Sequence, residues 1–215
     1  MLAFLKSLYP APEPSEKPFG AHEAGVLITV CFGLMFIEFV GGEVSFRQMF
    51  GDWLIDGAVF PSEYERIQAM KANHWYGLLK LGHWALCCCV GYMILPMLFI
   101  KLTGHSIKET YLSFSGTWLH RKTYGILLMI MLPPVIYVGS WENYQHIYPF
   151  YDQAGRSFID LIIWEALYLG QFLALEFFFR GFMLSRLRPW AGHGAIFIML
   201  IPYCMIHFPK TASET

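Results

Sequence analysis

Long apolar runs separated by shorter polar stretches dominate the pattern of this chain. A membrane-spanning helix needs about 20 mostly apolar residues, and five segments reach or approach that length. They cover residues 24–40, 76–100, 124–140, 158–184 and 195–208. Pro133 and Pro134 predict a kink in the third segment, and the short fifth segment contains Pro202. The pattern predicts an all-α fold, a polytopic membrane helix bundle of about five transmembrane helices.

The stretches that flank these segments predict structure at the membrane surface. Residues 1–22 include a proline-rich run, which predicts an extended N-terminal arm. Residues 41–75 are mixed and acidic, and Ser62 followed by Glu65 resembles a helix capping box, so an interfacial helix is expected there. The aromatic residues of 141–157 predict an interfacial loop. We expect residues 1–215 to form a single membrane domain.

Composition favours a membrane location and excludes several classes of protein. The chain is 56% hydrophobic and 14% charged, with a mean hydropathy of +0.44, whereas soluble domains carry about 25% charged residues. A net charge of −1 provides no basic surface for nucleic acid. Disordered chains and small disulfide scaffolds are also poor fits. The lipid bilayer is therefore an expected partner, and nucleic acid is not.

The distribution of Lys and Arg predicts the orientation in the membrane. With five spans, the arm and the loops at 101–122 and 185–192 share one side, which holds more basic residues than the other side. The first side holds Lys6, Lys17, Lys101, Lys108, Arg121, Lys122, Arg186 and Arg188, and the second holds Arg47, Arg66, Lys71, Arg156 and Lys210. Because basic loops stay in the cytoplasm, we expect a cytoplasmic N-terminus.

Ionisable side chains inside a span are costly, so each is a candidate functional residue. The fourth segment holds the densest set, Glu165, Glu176 and Arg180. The four-residue spacing of Glu176 and Arg180 predicts an ion pair on one helix face. Glu165 lies eleven residues earlier, which returns to within about 20° of the same direction. A buried ion pair that fixes helix packing is the alternative, and we favour a structural role for Glu165 alone.

His207 lies near the end of the fifth segment, which a short turn joins to the fourth, so the two segments are predicted to form a hairpin. Counted from that turn, the depths of Glu176 and His207 agree to about 6 Å, and contact between them is feasible. A carboxylate and an imidazole on adjacent spans can activate water, with Arg180 holding Glu176 ionised. The candidate catalytic residues are thus Glu176, His207 and Arg180.

These residues also carry a family resemblance. The run Glu176-Phe-Phe-Phe-Arg180-Gly resembles the first motif, Glu-Glu-x-x-x-Arg, of the CAAX-protease and bacteriocin-processing (CPBP) family of intramembrane endopeptidases. Tyr203-x-x-x-His207 resembles its second motif, Phe-x-x-x-His. The similar part covers residues 158–210. The resemblance implies that the motif Glu and His activate water against a peptide bond, in membrane-anchored peptides or protein tails. It also implies a location in a bacterial inner membrane.

Two features depart from the family pattern. Leu175 stands where the family usually has the first Glu of its pair, which normally has the catalytic role. Residues 207–215 resemble the middle of family members, so the resemblance leads us to expect further helices, with the third motif, after Thr215. If the chain is complete at that residue, we do not expect a protease.

No cofactor is expected from the sequence. A catalytic zinc ion needs three protein ligands; Glu176 and His207 supply two, and only a residue such as His83 or Glu165 could supply a third. The five cysteines are interpreted as small apolar core residues.

Two alternatives to an endopeptidase stay open. The first is a non-catalytic subunit of a multi-protein membrane complex that retains the CPBP scaffold, which Leu175 and the many aromatic residues suggest. The second is a haem-bearing membrane anchor with His83 and His207 as axial ligands. For His83 we favour a simpler role, in which the imidazole donates a hydrogen bond to a backbone carbonyl.

Overall fold

The computed structural model describes residues 18–110, 118–145 and 150–208, and these ranges contain helices and turns without a strand. The α-helices are α1 (Ala21–Gly41), α2 (Glu43–Leu54), α3 (Glu63–Ala72), α4 (Tyr76–Cys89), α5 (Leu95–Leu102), α6 (Arg121–Gly139), α7 (Glu142–Gln145), α8 (Phe158–Glu176), α9 (Ser185–Ala191) and α10 (Gly194–Met205). Two π-helical segments, Val90–Ile94 and Phe177–Leu184, continue α4 into α5 and α8 into α9, and a 3-10 turn forms at Ile107–Glu109. The predicted all-α fold class is confirmed.

Four helical stretches are long and apolar enough to cross a membrane, which marks the chain as an integral membrane protein. They are Ala21–Gly41, Tyr76–Leu102, Arg121–Gly139 and Phe158–Ala191, and they match the first four predicted spans. The fifth predicted span is wrong at its end, because α10 has 12 residues and stops at Met205. The backbone then tightens into a turn, in which the His207 amide donates to the Cys204 carbonyl.

The predicted capped helix in the 41–75 segment is confirmed as α3. The hydroxyl of Ser62 accepts a hydrogen bond of 3.2 Å from the Glu65 amide, which satisfies one of the free donors at the helix start. Of the other predicted surface segments, most of the N-terminal arm (residues 1–17) and part of the aromatic loop (residues 146–149) lie outside the described residues.

The chain divides into two compact units. The first comprises residues 1–39, 87–112 and 171–215, and the second comprises residues 40–86 and 113–170. The single membrane domain stays a prediction.

In the first unit, α1 crosses the π-helical segment Val90–Ile94 at two glycines. A Cβ atom added at Gly33 would lie 2.7 Å from the carbonyl oxygen of Gly91, and one at Gly91 would lie 2.9 Å from that of Gly33. Only residues without a side chain allow two helix backbones to approach this closely. Beside the crossing, the rings of Tyr92 and Phe178 are 4.8 Å apart. The core of this unit is therefore built around its π-helical segments.

In the second unit, apolar residues form two separate clusters. One joins α2, α3 and the start of α4 through Phe46, Leu54, Ile55, Met70 and Tyr76. The other joins α4 to the start of α8 and the turn before it through Leu78, Leu81, Tyr151, Ala154 and Trp164. Helix α6 contributes no buried residue to either cluster.

The interpretation of the cysteines as core residues is correct for part of the set. Cys87 and Cys88 are buried, whereas Cys31 and Cys204 are exposed. For those two the interpretation is wrong, because each lies on an outward face of its helix.

Candidate functional site

Glu176 and Arg180 form the predicted ion pair. Glu176 is the last residue of α8 and Arg180 lies one turn later, so the guanidinium donates directly to the carboxylate. Both side chains are partly exposed, 38% for Glu176 and 52% for Arg180. The ion pair is therefore only partly buried, and a role in helix packing stays the alternative to a functional one.

The backbone around this pair differs from the regular helix that the sequence predicts. Residues 177–184 are π-helical, which is a conformation that occurs often at functional sites. Phe177, Phe178 and Phe179 follow Glu176 directly and are all fully buried. These three rings anchor the segment, while the charged pair stays on the accessible side.

His207 has one ring nitrogen fixed by the backbone. Its Nδ1 lies 2.8 Å from the carbonyl oxygen of Tyr203. Because a carbonyl can only accept, Nδ1 carries the proton, and Nε2 keeps its lone pair. In this tautomer the imidazole can accept a proton from water through Nε2.

Ring contacts confirm that the two motif-bearing segments pack as a hairpin. The ring of Phe179 meets that of Tyr203 edge to face at 5.2 Å between centroids, and the Tyr203 ring lies 5.2 Å from the imidazole of His207. Phe179 is three residues after Glu176, and Tyr203 is four before His207. The contacts therefore tie the neighbourhoods of both candidate residues together.

The structure does not join Glu176 and His207 directly. In the part of the chain that it describes, Glu176 bonds to Arg180 and His207 bonds to the Tyr203 carbonyl, and no hydrogen bond or ion pair links the two. Glu165 is exposed on α8 and forms no hydrogen bond or ion pair within the same described ranges. The arrangement is thus a carboxylate and an imidazole on one hairpin, each oriented by its own partner.

A polar cluster that the sequence analysis missed lies at the start of α8. The carboxylate of Asp160 is nearly buried and accepts two hydrogen bonds from Arg156 (3.0 and 2.6 Å), one from Ser157 (2.6 Å) and one from Tyr151 (3.0 Å). Arg156 also donates to the carbonyl of His74 at 2.8 Å. The pattern Ser157-x-x-Asp160 is the signal that could have revealed this helix cap.

Two groups of this cluster that precede the membrane-spanning helix, Tyr151 and Arg156, have raised pKa values. Burial raises the pKa of Tyr151, and its hydrogen bond to Asp160 raises it further, because that bond favours the protonated phenol. The hydrogen bond to Asp160 raises the pKa of Arg156. Each shift favours the protonation state that completes the cluster.

A second missed contact holds the turn after α5. Arg186, almost buried, donates from Nη1 to Glu109 and from Nη2 to the Ser106 carbonyl, each at 3.0 Å. The hydrogen bond from Arg186 lowers the pKa of Glu109. From the sequence Arg186 is only a loop charge, because residues 77 positions apart in the chain leave no local signal of their pairing.

The expected role of His83 is confirmed. Its Nε2 lies 2.7 Å from the carbonyl oxygen of Val40, so the imidazole donates to a carbonyl in the last turn of α1. That nitrogen is occupied by this bond, which weakens the haem alternative. Among the residues that the structure describes, no group of three or more His, Cys, Asp or Glu side chains is arranged to hold a metal ion.

Comparisons with protein-family models, curated protein sequences and solved structures gave no match to this chain.

Proposed function

We propose that this chain is a CPBP-type intramembrane endopeptidase that hydrolyses membrane-anchored peptides or protein tails. One observation carries the proposal: a single hairpin presents a carboxylate oriented by Arg180 and an imidazole whose free Nε2 can accept a proton. This combination suits the activation of water beside a peptide bond.

In the proposed reaction, Glu176 and His207 share one water molecule between them. As its oxygen bonds to the scissile carbonyl carbon, a proton passes from the water to one of the two side chains. The carbon–nitrogen bond then breaks, and that proton moves to the leaving amine. The products are a carboxylic acid and an amine, so no further reactant is needed. Arg180 fixes the rotamer of Glu176 throughout.

Leu175 gives Glu176 a larger share of the chemistry than the family pattern implies. With an apolar residue at the preceding position, Glu176 is the motif carboxylate that remains to act as base. Its partial exposure leaves one side of the carboxylate accessible to water and substrate.

The test is a cleavage assay on purified protein in lipid nanodiscs, with a fluorogenic peptide attached to a lipid anchor. Glu176→Gln and His207→Ala are each expected to lower kcat/KM by at least about 100-fold, because each removes a proton-transfer group. Glu165→Gln is the matched control, since it neutralises an exposed carboxylate on the same helix, and it should retain activity. Unchanged turnover in both test variants would overturn the proposal.

We also propose a bacterial inner-membrane location with a cytoplasmic N-terminus. The bias of Lys and Arg between the two sets of loops supports this orientation.

A non-catalytic subunit of a membrane complex is the second candidate, and one observation favours it. Helix α6 has 19 residues and buries none of them, as expected of a surface that a partner covers. Purification in mild detergent from cells that express the protein at its native level should then give a stable complex. A lone monodisperse monomer would contradict this candidate.

A further inference from the structure

Basic side chains gather around one carboxylate in the second unit, where the first two membrane-spanning stretches reach the membrane surface. Ala21–Gly41 ends just before α2, and Tyr76–Leu102 begins shortly after α3. Because the two stretches are consecutive along the chain, these ends lie at the same surface of the membrane. The carboxylate is that of Glu43. The residues named here the basic cluster are Arg47 on α2, Lys71 on α3 and Lys80 on α4.

Glu43 is too little negative charge to neutralise the basic cluster. Its carboxylate lies 3.5 Å from Nη1 of Arg47 and 3.6 Å from Nζ of Lys80. Burial alone would raise the pKa of Glu43, but the hydrogen bond from Tyr76 and the charges of the three basic side chains lower it overall. In the described part of the chain Lys71 forms no ion pair of its own. Three positive charges therefore share one negative charge.

The contacts of the basic cluster with Glu43 are also loose. Both distances are longer than the 2.7–2.9 Å that is typical of a charge-assisted hydrogen bond. Within the described ranges, the partly exposed side chains of Arg47 and Lys80 form no hydrogen bond to a protein acceptor. Arg66 on α3 is the contrast, because its Nη2 donates to Asp52 at 2.8 Å. The donors of Arg47 and Lys80 are thus available to a second anion.

Exposed apolar side chains adjoin the basic cluster. Val44 follows Glu43 and Leu79 precedes Lys80, and both are exposed. Trp75, also exposed, lies directly before the second stretch, at the level where indole rings favour the membrane interface. A free phosphate ion would contact only the charges, whereas a phospholipid brings a phosphate and acyl chains to the same place. Excess positive charge beside apolar surface at this depth therefore favours an anionic lipid over a soluble anion.

We propose that the basic cluster binds the phosphate of an anionic phospholipid, whose acyl chains cover the exposed apolar side chains beside it. Arg47 and Lys80 donate to the phosphate oxygens, and Lys71 adds its charge. A zwitterionic lipid binds less well, because its choline group meets the excess positive charge. The inference goes beyond the proposed function, because it applies equally to a peptidase and to a non-catalytic subunit.

The test measures binding to the purified full chain by native mass spectrometry, in detergent to which one probe at a time is added. The probes are phosphatidylglycerol, phosphatidylcholine with the same acyl chains, and glycerol 3-phosphate as the free headgroup. We expect phosphatidylglycerol to bind at least about fivefold more tightly than either of the others, the factor that one basic residue contributes beside anionic lipid. A smaller preference over phosphatidylcholine would overturn the anion selectivity, and a smaller preference over glycerol 3-phosphate would overturn the lipid.

A pair of matched variants tests the basic cluster itself. Lys71 is exposed and forms no ion pair in the described part of the chain, so Lys71→Gln should fold normally. It should weaken the binding of phosphatidylglycerol about fivefold. Arg66→Gln is the control, because that guanidinium is already bonded to Asp52, and it should change the affinity less than about twofold. Equal effects of the two variants would contradict the proposal.

A third variant separates lipid binding from folding. Glu43→Gln removes the carboxylate that competes with the lipid, and its amide oxygen can still accept the hydrogen bond that Tyr76 donates at 2.9 Å. We expect phosphatidylglycerol to bind at least about threefold more tightly, whereas damage to the fold would weaken binding. Unchanged or weaker binding in this variant would overturn the proposal.

Discussion

One carboxylate–guanidinium pair lies at the start of the helical stretch Phe158–Ala191 and a second lies further along it, and the two are built in opposite ways. At its start, Asp160 is 7% exposed in its side chain and bonds to Arg156, Ser157 and Tyr151. Further along, Glu176 is 38% exposed and bonds to Arg180. Both pairs have the same four-residue spacing, so the spacing itself does not determine their roles.

The difference lies in what each carboxylate can still do. Asp160 has all its acceptor positions directed at protein donors, so it holds local structure and has little capacity for a reactant. Glu176 keeps one side open beside a hairpin that also carries His207. A saturated pair indicates a structural contact, and an unsaturated pair in a membrane protein is the better candidate for chemistry.

The strongest test of this difference is to exchange the charges of the Glu176–Arg180 pair. The double variant Glu176→Arg with Arg180→Glu keeps an ion pair but moves the carboxylate by one turn. We expect cleavage to fall by at least about 100-fold because the base is displaced. The thermal midpoint of unfolding should shift by less than about 2 °C, since exposed pairs contribute little. Full activity in the exchanged variant would show that the pair has only a structural role.

A change in the Asp160–Arg156 pair should instead lower the stability of the protein. Asp160→Asn removes the negative charge that accepts four hydrogen bonds, which leaves the partly exposed guanidinium of Arg156 with a weaker acceptor. We expect the unfolding midpoint, measured by tryptophan fluorescence in detergent, to fall by several degrees. Glu176→Gln is the matched control and should lower it by less than about 2 °C. Equal shifts in the two variants would remove the distinction between the pairs.

The smallest expected effect is a pH dependence at Tyr151. Its pKa is raised above 10.0 in the folded state, so its contribution to stability is complete below that value. It is lost as the pH rises through the higher folded pKa. Tyr151→Phe should lower the midpoint by about 1–2 °C at neutral pH, because one hydrogen bond is lost. Above pH 10 the difference in unfolding midpoint between the variant and the parent protein should become smaller. A difference that stays constant with pH would contradict the role of the phenol.

Local signals in the sequence were enough to predict much of the fold. Apolar run length predicted four spans, the serine before α3 predicted its start, and four-residue spacing predicted the pair of Glu176 and Arg180. The hydrogen bond of His83 followed from the need of a polar side chain inside a span for an acceptor. Each of these inferences depends on neighbours in sequence or on a general cost of burial.

The features that could not be predicted depend on distant contacts or on backbone irregularity. The pairing of Arg186 with Glu109 requires knowledge of which segments meet. The crossing at Gly33 and Gly91 depends in the same way on the packing of two helices. Hydrophobic periodicity is too coarse to separate a π-helical segment from a regular helix over residues 177–184. Whether Glu176 and His207 act on one water molecule stays a prediction.

The π-helical segment after Glu176 also gives the helix a place where its length can change. A π-helical turn contains an extra residue, so deleting one residue between 177 and 184 would convert one such turn to regular helix. The regular turn completes the same rotation with one residue fewer, so the residues after the deletion would keep their faces of the helix. Arg186 would then still reach Glu109. A single-residue deletion there should therefore disturb the packing less than a deletion within the regular helix α8, which would rotate every later residue by about 100°.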